Sequence, residues 1–79
     1  MKQAADLIAN VFGNRVISWK CEDDPILLRE YLVINLNEEP TEHDKDAIIQ
    51  NYQSLYPHIF VIENHHTQEA DFQLRVYSR

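Results

Sequence analysis

Apolar residues recur at helical spacing near the start of the chain, where Ala4, Leu7, Ile8, Val11 and Phe12 form one stripe. Gly13 follows where a helix favours a left-handed terminal residue, so the spacing predicts a helix over residues 3–12. Alternation then replaces it over residues 15–21, with Ile17, Trp19 and Cys21 on one side and Val16, Ser18 and Lys20 on the other. That is a strand pattern, and the polar residues 22–25 break it. A second alternating run over residues 28–36 sets Leu28, Glu30, Leu32, Ile34 and Leu36 on one face against Arg29, Tyr31, Val33 and Asn35 on the other.

Thr41 followed by Asp44 has the spacing of a capping box, and the acids around it suit a helix N-terminus. A helix over residues 42–55 follows, with Ile48, Ile49, Tyr52, Leu55 and Tyr56 as its apolar stripe and Pro57 as its stop. Residues 58–63 read as a third strand. Residues 64–69 read as a turn in which Asn64 can take positive φ, and residues 70–77 as a fourth strand. In the last, Ala70, Phe72, Leu74 and Val76 oppose Asp71, Gln73, Arg75 and Tyr77.

The order αββαββ makes an α+β domain. Four half-apolar strands need one covering layer and two amphipathic helices supply it, so the expected architecture is a two-layer sandwich. The same order arises when the first strand of the ferredoxin-like βαββαβ arrangement moves to the chain's end. This permuted ferredoxin-like topology predicts an antiparallel sheet in the order 3-4-2-1, covered on one face. The whole of 1–79 reads as a single domain. Within it two αββ halves, 1–37 and 41–79, echo each other: Leu7-Ile8-Ala9-Asn10-Val11 aligns with Ile48-Ile49-Gln50-Asn51-Tyr52.

Composition narrows the function classes. The 79 residues carry 13 Asp plus Glu against 7 Lys plus Arg, a net charge of −6, which argues against docking on phosphates or anionic lipid. The acidity is regional, since residues 22–46 hold nine acids and two bases. The N-terminus lacks a signal-peptide pattern, and apolar runs such as 26–28 and 31–34 fall far short of the roughly 18 residues a membrane span needs. A soluble, cytoplasmic protein without membrane contact is expected. Cys21 is the only cysteine, so no internal disulfide forms. Beside Glu22, Asp23 and Asp24 its thiolate is disfavoured by like charge, and a packed strand position is expected for it.

If the two longer strands lie centrally, their non-core faces present Tyr31, Val33 and Asn35 beside Arg75 and Tyr77, a mixed surface exposed in a monomer. Such a face suits a protein partner or a second copy of the chain, and the acids Glu38, Glu39, Glu42 and Asp44 suit a basic surface on that partner. The favoured function is therefore a small protein-interaction domain, an adaptor, inhibitor or regulatory subunit. One alternative is nucleic-acid binding on the open face, disfavoured because only Arg29 and Arg75 there are basic. Another is a DNA-mimic inhibitor of a DNA-binding protein, for which regularly spaced carboxylates are few.

No enzyme is expected. One glycine allows no phosphate-cradling loop, there is no nucleophile elbow, and no carboxylate is placed to be buried and perturbed. No cofactor is implied. His43, His65 and His66 with Glu69 gather at one end of the expected sheet, but their spacing matches no metal motif.

Overall fold

Residues 4–26, 29–54 and 56–77 are described by the computed structural model. Helix α1, Ala4–Phe12, buries Ala4, Leu7, Ile8 and Phe12, the stripe that 3.6-residue spacing dictates. Gly13 ends it at φ 58°, and a short 3-10 turn, Gly13–Arg15, leads into strand β1, Val16–Asp24. Strand β2 is Arg29–Leu36, helix α2 Glu42–Tyr52, β3 Phe60–His65 and β4 Phe72–Tyr77. The sheet is antiparallel throughout in the order β1-β2-β4-β3, as expected, with β2 and β4 central.

Several boundaries differ from the sequence expectation. Strand β1 runs through residues 22–24 because Glu22, Asp23 and Asp24 pair with Tyr31, Glu30 and Arg29, and an edge strand tolerates polar side chains. The register also shifts between Val16 and Ser18. This bulge at Ile17 puts Val16 opposite Leu36, on the same face as Trp19 and Cys21, so strict alternation assigned Val16 to the wrong side. Strand β3 starts two residues late because Ile59 N–H donates to Tyr56 C=O at 3.1 Å and closes a turn there. In the β3–β4 turn Thr67 N–H donates to Ala70 C=O at 2.9 Å, and the residue at positive φ is His66, not Asn64. Gln3, Leu28 and Leu55, which the sequence reading placed in elements, lie outside the described residues.

The core joins both helices to one face of the sheet. Leu32, Ile34, Leu36, Leu74 and Val76 pack with the α1 stripe and with Ile48 and Tyr52 of α2. Burial of these side chains is the main stabilising contribution, at about 1.5–3 kcal/mol for each large one. Cys21, expected to be packed, lies on the same sheet face but is exposed on the edge strand β1.

The capping box forms as expected. Thr41 Oγ1 accepts from Asp44 N–H at 3.0 Å and Asp44 Oδ2 accepts from Thr41 N–H at 2.9 Å. Asp44 has a second role that sequence spacing does not reveal. Arg15 donates to both its oxygens, at 2.9 and 3.0 Å, and also to Val11 C=O and Phe12 C=O. One guanidinium thus caps the C-terminus of α1 and grips the N-terminus of α2. Tyr52, by contrast, buries its hydroxyl without a hydrogen-bond partner, and burial pushes its pKa up to about 12.

The Arg15 hydrogen bonds hold the Asp44 carboxyl at about 2, below its ordinary 3.8. A folded-state pKa below the unfolded one gives stability that is present above about pH 4 and is lost as pH falls toward 2, here roughly 2 kcal/mol. Asp44→Asn should therefore lower stability by about 2 kcal/mol at pH 7 and by much less at pH 2, read by urea unfolding at both. Tyr52→Phe removes an unsatisfied buried hydroxyl and should leave stability unchanged or raise it by up to about 1 kcal/mol in the same assay.

Candidate functional site

Register alone arranges the sheet face away from the core into three cross-strand rows. Glu22, Tyr31, Tyr77 and Phe60 form the first, Lys20, Val33, Arg75 and Ile62 the second, and Ser18, Asn35, Gln73 and Asn64 the third. In the first row the Tyr31, Tyr77 and Phe60 rings stack in sequence with centroids 5.0 Å apart at each step.

Hydrogen bonds close these rows into a ring. Tyr31 Oη donates to Glu22 at 2.7 Å, and Lys20 Nζ bridges Glu22 and Glu69 at 3.0 Å each. Asn35 Nδ2 donates to Glu69 at 2.9 Å and to Ser18 Oγ at 3.0 Å, and Asn35 Oδ1 accepts from Gln73 at 2.8 Å. Arg75 Nε donates to Gln73 Oε1, and its guanidinium lies 6.0 Å from the Tyr31 ring centroid, which completes the circuit. The electrostatics follow. The Tyr31 and Lys20 hydrogen bonds lower the Glu22 pKa, those from Lys20 and Asn35 lower that of Glu69, and Glu69 with Glu22 raises that of Lys20.

Val33 lies in the middle row of this face and is only 2% exposed; Asn35 and Gln73 are each 3% exposed. The face expected to be open is therefore largely occupied by its own side chains. Tyr31 and Tyr77 turn their π-faces to neighbouring rings, and Arg75 is held by Gln73 and Tyr31. Alternation and charge could have nominated Lys20 with Glu22, two apart on one strand face, but Glu69 enters from a distant turn and needed the fold.

Apolar surface is found instead along β1, an edge strand paired only with β2 among the described residues. Ile17 is 57% exposed at its bulge and Trp19 41% exposed, while Ile62 on β3 of the face described above is 42% exposed and Ile26 stands exposed beyond β1. Cys21 shares this edge, and partial desolvation, with Glu30 contributing, raises its thiol pKa, so the expected disfavoured thiolate has burial as its leading cause.

The predicted acidic residues divide. Glu38, Glu39 and Glu42 are exposed at the sheet end where β2 finishes, while Asp44 is buried against Arg15 and leaves the acidic surface. The histidines divide too. His66 is well exposed, His43 stands exposed on α2, and Glu69 is committed to the ring. His66 Nδ1 lies 4.0 Å from Asp71 alone, whereas His65 meets two carboxylates: its Nε2 lies 3.3 Å from Glu63 Oε1, and Glu39 completes a group whose potential ligand atoms lie within 4.8 Å of one another. Glu63 was missed because β3 was placed two residues early, which left His65 in a turn. In the actual strand the two alternate onto one face.

No family model, curated protein or solved structure matches this chain. Among the described residues no helix is long and apolar enough to cross a membrane.

Asn35 joins three partners of the ring while buried, so Asn35→Ala should cost roughly 1–3 kcal/mol in urea unfolding. The same substitution should free the Lys20 and Gln73 side chains, visible as averaged side-chain signals in NMR spectra.

Proposed function

We propose that this protein is a small interaction domain that binds another protein, one presenting a basic, extended segment, along the β1 edge. The observation that carries this reading is the nine-residue edge strand β1, with Ile17 and Trp19 exposed on it. Its outer row of backbone donors and acceptors is a template for an added strand, and the two apolar side chains are candidate anchors. The first half of β1 lies at the same sheet end as exposed Glu38, Glu39 and Glu42, which would steer a basic partner toward it.

Charge also favours a different protein over a second copy. Two-fold antiparallel pairing of β1 with itself would set the acidic end at residues 22–24 of one chain beside the acidic end at residues 38–42 of the other, and like charges there oppose association. Nucleic acid is a poorer fit, because the tyrosine faces and Arg75 are engaged within the sheet. An adaptor, inhibitor or regulatory role without catalysis fits this reading. So does a cytoplasmic setting, in a two-layer sandwich of permuted ferredoxin-like connectivity.

Trp19 is the only tryptophan and therefore reports directly on this edge. An extended peptide alternating lysine with valine should shift Trp19 emission to the blue on binding, more weakly as salt rises. Binding should be lost in a variant carrying Glu38→Lys, Glu39→Lys and Glu42→Lys, and in Trp19→Ser read by calorimetry. An unchanged spectrum at millimolar peptide, or equal binding by the reversed variant, would refute the reading. Sedimentation should give a monomer mass; a stable dimer would replace the basic partner with a second copy.

A further inference from the structure

Glu63 leaves one carboxylate oxygen unaccounted for. Its Oε2 is 3.3 Å from Lys45 Nζ, but Oε1 is buried and has no hydrogen-bond partner. A buried carboxylate oxygen without a donor is costly, and it calls for a cation or a proton to complete it. The nearest group is His65 Nε2, at 3.3 Å, a nitrogen that can donate a proton or offer a lone pair to a metal.

We propose that Glu39, Glu63 and His65 form a site for a divalent transition metal of the zinc type. Two donor atoms bound at 2.0–2.1 Å to a tetrahedral ion stand about 3.3 Å apart. Glu63 Oε1 and His65 Nε2 already have that separation, and they are held there by alternation along β3 rather than by a mobile loop. Glu39 is exposed on the connection from β2 to α2, and its oxygen lies within 4.8 Å of the other two ligand atoms. A side-chain rotation closing at most about 1.5 Å would bring it to the separation of two ligands on one ion.

The donor set selects the metal class. One imidazole with two carboxylates suits zinc and its transition-metal neighbours, whereas magnesium and calcium favour all-oxygen shells. Lys45 remains on Oε2, so Glu63 binds through Oε1 alone. Two carboxylates against one divalent ion leave the centre neutral, and water fills the remaining position. Because Glu39 belongs to the β2–α2 connection and the other two ligands to β3, the ion clamps that connection onto the sheet edge.

The test is titration of the whole chain with zinc chloride, followed by calorimetry, by the histidine ring resonances and by thermal unfolding. One equivalent should bind, move the His65 ring signals ahead of those of His43 and His66, and raise the unfolding midpoint. His65→Gln, Glu63→Gln and Glu39→Gln should each weaken binding at least about tenfold. His43→Gln and His66→Gln should leave it unchanged. Glu39 and His65 are exposed, so their variants keep the test decisive if Glu63→Gln unfolds. Absence of saturable binding up to millimolar zinc, binding unaltered by His65→Gln, or equal affinity for magnesium would each overturn the site.

Discussion

The Arg15 guanidinium is the joint on which one end of the molecule depends. Its donors reach the last carbonyls of α1 and both oxygens of Asp44, and its own carbonyl accepts from Asn37 N–H at 3.1 Å. Two helix ends and the loop leaving β2 are therefore fixed by a single residue between α1 and β1. Both helix termini gain, since positive charge is favourable at the end of α1 and negative charge at the start of α2. Because the grip is bidentate and Asp44 is buried, its loss would leave an unmatched charge rather than a merely missing surface contact. The same joint sets the course of the connection bearing Glu38, Glu39 and Glu42, so a structural ion pair positions the acidic surface.

The two sheet faces reach burial by different chemistry. On the helix side Leu32, Ile34, Leu74 and Val76 are excluded from water by α1 and α2. On the other side no helix covers Val33, yet it is equally buried because long side chains from neighbouring strands close around it. Lys20 and Arg75 flank Val33 in its cross-strand row, and their charged ends join the hydrogen-bonded ring. A satisfied polar network of this kind fixes register, since a one-residue slip would separate Asn35 from Gln73 and Tyr31 from Tyr77 together. The β1 edge keeps Ile17 and Trp19 exposed and its outer backbone row open to another molecule.

Much of this was legible in the chain. The stripe of α1, the alternation of β2 and β4 and the capping box at Thr41 follow from local periodicity and short-range rules, and the sheet order from the αββαββ order of the elements. The misplacements share one cause, the dependence of strand ends on partners. Glu22, Asp23 and Asp24 look like a turn in isolation but lie in a strand because β2 runs opposite them. His65 looks like a turn residue but lies in β3 because Phe72 pairs with it. Ile17 looks like part of a regular alternation until the bulge takes it out of register.

The sequence by itself determined the kinds of element, their order, and the concentration of acidic residues between positions 22 and 46, because these depend on neighbours a few residues apart. Only the tertiary structure decided which charges remain for a partner. Asp44 is consumed by Arg15, Glu22 and Glu69 by Lys20, Glu42 pairs with Lys45 at the surface and Glu63 faces His65, while Glu38 and Glu39 stand exposed. The Arg15–Asp44 and Lys20–Glu69 groupings join residues from separate elements, and hydrogen bonds and desolvation act over a few ångströms of space, whatever the distance along the chain.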